Sequence, residues 1–189
     1  MVRVAVRLPS VIADVGEYLA DVTALEAAAA DTIWVDDRGL DPWVVLGALA
    51  AVTHRVGLGC LLTTMSEVSN SGLRACAAAV QTLSRGRMVV GLPERGVPTD
   101  HVAALRASGA RIFVLDAERA REMDGDPNAG NEVWDIVTIP PDRDAWTSTL
   151  SSCESAGATG VIVPWDARLI DLLRNTEPDD RTDLLISTG

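Results

Sequence analysis

Four acids, Asp36, Asp37, Asp116 and Glu118, each follow an apolar run, TIWV or RIFVL. Carboxylates gathered at strand ends can converge on a divalent cation and activate water. Acids at strand ends are also common in any acidic protein of this kind, and that plainer reading is favoured, so no metal is expected. Other chemistries have less support. His54 and His101 have no cysteine or carboxylate at metal-ligand spacing. Neither a Ser-His-Asp arrangement nor a G-x-S-x-G run appears, which makes nucleophilic hydrolysis a poor fit. All 16 basic residues are arginine, which excludes a lysine Schiff base and a P-loop lysine. Cys60, Cys76 and Cys153 lie in apolar patterns and read as buried packing.

Composition narrows the classes further. The 189 residues, 48% hydrophobic and 23% charged, are read as one domain over 1–189 with a substantial core. A net charge of −11 without a basic stripe argues against a nucleic-acid partner. No apolar stretch reaches the roughly 18 residues of a membrane span. VRVAVRL follows the first Met without a charged leader region, so a cytoplasmic location is expected.

The elements that must position these residues alternate. Short β-branched runs predict parallel strands at 2–8, 32–36, 55–62, 86–91, 111–116, 133–139, 160–164 and 183–187. Between them lie helical patterns, among them one over 41–53 capped by Asp41 with Pro42 in its first turn. REMDGDPNAGNE reads as loop from its turn dipeptides. Strand, helix, strand in this order is the pattern of a parallel sheet with helical crossovers. A full (β/α)8 barrel takes about 250 residues, so the expectation is α/β, a trimmed (β/α)8 TIM-type barrel, with an incomplete barrel of six or seven strands as the alternative. In such a barrel chemistry sits at the C-terminal strand ends. Those ends are Asp36 to Arg38, Cys60 to Thr64, Pro93 to Arg95, Asp116 to Arg119, Trp165 and Asp166, and Ser187 and Thr188.

Three motifs in the first half, TIWVDDR, DPWVVLGALAAVTHRVGLG and LSRGRMVVGLP, resemble the luciferase-like monooxygenases, flavin- or deazaflavin (F420)-dependent (β/α)8 barrel enzymes. The resemblance covers residues 1–96, and more faintly 133–175. It implies FMN or F420 as cofactor, a small-molecule substrate and redox chemistry. The family often has Asp-His after strand two. Here Asp37-Arg38 stands in that place, making these two the catalytic candidates, although a guanidinium cannot exchange the proton an imidazole can. By the same resemblance, the end of strand three (Leu61, Leu62, Thr63) and Glu94 with Arg95 after strand four are the cofactor-binding candidates. GLPERG replaces the family's glycine-rich phosphate turn: Pro93 has no N–H and Glu94 puts a negative charge there. Arg95 is the compensating cation. Trp34 and Trp165 are the expected walls for a ring. A degenerate member that binds flavin weakly or not at all, as a scaffold, remains the alternative function.

A homodimer is expected through residues 41–53 and 70–83. Trp43, Val44, Val45, Leu46, Leu49 and Val52 spread around more than one helix face, and Ala75, Ala77, Ala78 and Ala79 would let a partner helix approach closely.

Overall fold

The computed structural model describes residues 2–63, 69–123 and 131–174. In chain order these form β1 (Arg3–Arg7), α1 (Val15–Ala27), β2 (Thr32–Asp36), α2 (Pro42–Val52), β3 (Gly57–Leu61), α3 (Asn70–Leu83) and β4 (Met88–Pro93). There follow α4 (Thr99–Arg106), β5 (Arg111–Leu115), β6 (Arg119–Met123), β7 (Val133–Ile136), α5 (Arg143–Ser155), β8 (Gly160–Pro164) and α6 (Arg168–Arg174). The eight strands close a barrel in sequence order, β8 pairing back onto β1 in parallel from Arg3↔Gly160 to Arg7↔Pro164. The barrel is therefore closed, and trimmed.

Helix starts follow local chemistry. Asp14, Asp41, Ser69 and Asp142 each accept a backbone N–H from the first turn of α1, α2, α3 and α5, satisfying donors that have no partner within the helix. Pro42 occupies the first turn of α2, as its sequence predicts.

One strand departs from the expected all-parallel order. β6 runs antiparallel to both β5 and β7. Its sequence, RAREM, carries no apolar run, and Ala120 is its one apolar residue in the bore, on the same face as Glu122, so it reads as the start of a loop. The turn before it has a readable signature: Asp116 accepts the N–H of Glu118 (2.8 Å) and of Arg119 (2.7 Å), an Asx-type turn. This hairpin is how the barrel is trimmed. No described helix joins β5 to β6, and the eighth strand is Gly160–Pro164, earlier than expected. The strand expected at 183–187 lies outside the described residues.

Alternation along each strand sorts residues between two cores. Val4, Val6, Ile33, Val35, Leu58, Cys60, Val90 and Ile112 pack outward against the helices. Ala5, Trp34, Leu61, Val89, Phe113, Ala120, Trp134 and Ile162 fill the bore. Phe113 stands edge-on to both indoles, at 6.2 Å from Trp34 and 6.4 Å from Trp134, the arrangement aromatic quadrupoles favour. Glycine makes the room. A methyl group at Gly59 would lie 2.4 Å from Trp34 Cε3, and one at Gly160 would lie 2.4 Å from Trp134 Cε3. At the N-terminal end the bore is closed by charge. Glu132 accepts from Arg3 (2.7 Å), Arg111 (2.8 Å) and Trp134 Nε1 (2.9 Å), and the two guanidiniums lie over the Trp134 and Phe113 rings.

The motif LSRGR also has an architectural role. Arg85 and Gly86 take the left-handed conformation at φ 57 and 87, turning the chain so that Arg87 reaches back across α2. Its guanidinium donates to Ser84 O (2.7 Å), Thr53 O (3.0 Å), Thr53 Oγ1 (3.1 Å) and Val56 O. Arg87 thus ties the ends of α2 and α3 to the starts of β3 and β4. Next to it, one Glu26 oxygen accepts the consecutive N–H groups of His54, Arg55 and Val56 at 2.6–2.9 Å.

Candidate functional site

At the C-terminal opening, Asp36 ends β2 and is buried. Its side chain is 1% exposed and carries two guanidiniums: Arg7 Nη2 at 2.9 Å, and Arg38 through Nη2 at 2.9 Å and Nε at 3.3 Å. Its second oxygen accepts the Arg38 N–H at 3.1 Å. Arg7 is 36% exposed and Arg38 60%. Nearby on α1, Tyr18 has its hydroxyl pKa pushed up to about 12, first by burial and then by the negative charge of Asp36.

Asp37 points elsewhere. It accepts both the backbone N–H (2.7 Å) and the hydroxyl of Thr63, while its own N–H donates to Leu61 O at 3.2 Å. This clasp fixes the ends of β2 and β3 to each other. Of the other candidates, Leu61 faces the bore and forms part of its upper surface with Leu115. Leu62, one residue on, is buried in the outer layer between sheet and helices, so alternation turns its side chain away from the opening. Glu94 and Arg95 are exposed. The Glu94 N–H donates to Leu115 O at 3.0 Å; with Pro93 lacking an N–H, neither residue offers a phosphate its backbone. Arg95 is the cation at that corner.

The two tryptophans expected as ring walls have other places. Trp34 lies inside the bore, with its Nε1 lacking a hydrogen-bond partner, and Trp165 packs on the outer core. The acids considered for a cation do not converge. Asp36 is bound by Arg7 and Arg38, and Asp116 pairs with Arg121 at 2.7 Å; no group of three metal-ligand side chains occurs among the described residues. Further along the rim, Asp166 pairs with Arg168 at 2.9 Å. Hydrogen bonds from Arg121, and from Arg168, hold the Asp116 and Asp166 carboxyls down at about 2.

Arg7 is not among the residues expected from the sequence, although RVAVR carries a signal for it: a strand burying Val4 and Val6 outward must turn Arg3, Ala5 and Arg7 inward. A separate cleft of about 640 Å³ lies at the opposite end, by the starts of β1, β2 and β3, with Val4, Ala30, Val56, Trp146, Leu150 and Leu172 among its walls. None of the expected site residues reaches it. No described helix is long and apolar enough to cross a membrane.

A closed eight-stranded α/β barrel, with Asp36, Arg7 and Arg38 clustered at its C-terminal opening, defines the class. The profile of the luciferase-like monooxygenase family matches residues 3–111, more than half of the chain, and the protein belongs to that family. Among solved structures, it is similar to the coenzyme F420-dependent tetrahydromethanopterin reductase of Methanopyrus kandleri. There the identity is 20% and the TM-score 0.43, over 57% of this chain and 30% of that one. For the monooxygenase RslO1 of Streptomyces bottropensis the values are 18% and 0.49, over 83% and 66%. The oxygenating constituent of 3,6-diketocamphane monooxygenase from Pseudomonas putida, in complex with FMN, gives 8% and 0.44, over 86% and 57%. The chain thus spans between 30% and 66% of the length of these proteins. Among curated protein sequences none matches it.

Proposed function

We propose that the chain is a flavin- or F420-dependent oxidoreductase acting on a small molecule, with FMN or F420 lying over the C-terminal opening of the barrel. Family membership supports the class. The observation that carries the position is the clasp between Asp37 and Thr63, which holds the ends of β2 and β3 rigid beside the apolar upper surface of Leu61 and Leu115. An apolar floor with a few oriented polar groups is what a ring-shaped ligand needs, and this end of the barrel is where the fold binds ligands.

The residues present fit a ring over the opening and not within the bore, which Trp34, Phe113 and Trp134 already fill. A bound flavin or deazaflavin supplies hydride transfer. The chain's own residues orient and hold: Asp37 fixes the loop, Leu61 supports the ring face, and Arg95 is the cation at the strand-four corner. Arg38 acts as a fixed charge, since a guanidinium does not exchange protons near neutrality. A second reading, binding without turnover, is favoured by this same residue, because Arg38 is paired with Asp36 where the resemblance expects an imidazole.

The test is titration of FMN and of F420 into the wild-type chain and into Arg95→Ala, followed by ligand fluorescence. Saturable binding, weakened roughly tenfold by loss of one charge-assisted contact, supports the reading. Absence of saturable binding for either cofactor overturns it. Binding of either cofactor with no substrate of a panel converted faster than in a control with cofactor alone would favour the second reading.

A further inference from the structure

We propose that Arg7 and Arg38, spread by the buried carboxylate of Asp36, form a receptor for one oxyanion, a carboxylate or a phosphate ester, at the C-terminal opening. This rests on the reading that a ligand binds over that opening, and adds a chemical group the ligand must carry.

The argument begins with charge. One carboxylate balances one guanidinium, yet Asp36 holds two, so the cluster carries an excess positive charge at the opening of a chain whose net charge is −11. Asp37, the nearest other acid in sequence, is turned onto Thr63. Among the described residues neither arginine forms an ion pair with any acid besides Asp36.

Geometry gives the excess charge a direction. Arg7 approaches Asp36 through Nη2, leaving Nε and Nη1 without an acceptor among the described residues; Arg38 uses Nε and Nη2 and leaves Nη1. A guanidinium presents its five N–H donors in a fixed fork. Two such forks pinned to one buried carboxylate are held in place before any ligand arrives, which removes part of the ordering cost of binding. Both are partly exposed, so an anion can reach them from solvent.

Surroundings favour an amphiphilic ligand. Arg7 lies opposite Trp34 in the β1–β2 ladder, and the upper part of the bore, with Trp34, Leu61, Phe113 and Leu115, is apolar. An oxyanion on the two guanidiniums would leave the rest of its molecule over Leu61 and Leu115. In the strand-four turn Pro93 has no N–H and the Glu94 N–H is already bonded to Leu115 O.

The probes are inorganic phosphate and benzoate, titrated into the full chain at constant ionic strength with chloride as control, and read by calorimetry. Arg38→Gln is the variant of choice because Arg38 is the more exposed of the pair and Arg7 still pairs with Asp36; far-UV circular dichroism checks its fold. Arg38→Lys restores charge without the fork. The expected result is saturable binding of at least one anion, weakened about tenfold or more in Arg38→Gln and only partly restored in Arg38→Lys. Comparing FMN with riboflavin identifies the source: an FMN advantage that vanishes in Arg38→Gln assigns the site to a cofactor phosphate, while equal binding of the two with benzoate competition assigns it to a substrate carboxylate. Anion binding that is absent, or equal in wild type and Arg38→Gln, overturns the proposal. Should anions bind in this way while no flavin or F420 does, the receptor stands and the cofactor reading falls; should a cofactor bind with no effect of Arg38→Gln on any ligand, the reverse holds.

Discussion

Gly59 and Gly160 are glycines because the indoles of Trp34 and Trp134 occupy the space their side chains would need. The distances are short enough that alanine cannot be accommodated by small shifts. Gly59→Ala should destabilise the chain by about 1–3 kcal/mol, the usual cost of overpacking. Combined with Trp34→Leu, it should cost less than the sum of the two single changes, since the second substitution empties the space the first one fills. Urea denaturation of the four proteins measures this, and strict additivity would place Trp34 outside the bore. At this scale the sequence was partly legible. Asp37 and Arg38 were found by their position after a strand, and both are at the opening. That Asp36 rather than Asp37 holds the arginines was not readable, because consecutive residues face opposite ways and only the strand's phase decides which turns inward. Leu62 was misplaced for the same reason.

Among elements, the pieces of the most specific motif hold the architecture together. Arg87 donates to three carbonyls and a hydroxyl at the junction of α2, α3, β3 and β4. Arg87→Ala leaves those acceptors without their partner and should destabilise by about 2–4 kcal/mol; Arg87→Lys should recover little, since one ammonium cannot reach the same set. Thermal denaturation decides, and a shift no larger than that of a surface arginine such as Arg106→Ala would show the network to be incidental. The N-terminal plug makes a pH prediction. Burial pulls the Glu132 carboxyl upward, but hydrogen bonds from Arg3 and Trp134 and the charges of Arg111 and Arg3 outweigh it and hold the pKa below the usual value. A depressed folded value stabilises above the unfolded pKa of about 4.3 and is lost as pH falls through the folded one. Glu132→Gln should therefore be less stable than wild type at pH 7, with the difference shrinking below about pH 4. Parallel stability curves down to pH 3 would contradict this. The first four strands and their helices could be read from periodicity. β6 could not, because a strand whose inward face is Ala120 and Glu122 has no apolar alternation to detect; its ladder is imposed by β5 and β7.

On the whole molecule, the outward side of α2 and α3 is the surface proposed for a second copy. Most of the apolar residues of α2 are accounted for by the barrel: Leu46 and Leu49 are fully buried, and Trp43, Val45 and Val52 pack against the outer core. Val44 remains, 71% exposed, with Leu83 of α3 also exposed and Ala75, Ala78 and Ala79 on the outward side of α3. A dimer through α2 and α3 is accordingly a proposal that rests on a narrow patch with small residues beside it. Val44→Glu is the informative change, since Leu49 lies in the core and its loss would unfold the chain. Light scattering should give twice the 20.0 kDa chain mass for wild type and 20.0 kDa for Val44→Glu; a monomeric wild type ends the proposal. A solid-bored barrel of this family is proposed to bind its ligand over the C-terminal opening, and hydrogen exchange read by mass spectrometry, with and without saturating FMN or F420, locates that ligand. Protection is predicted around residues 37–40, 61–63 and 93–96, at the ends of β2, β3 and β4. Protection confined to residues 28–31, 55–56 and 146–150, which line the cleft at the opposite end, would contradict it.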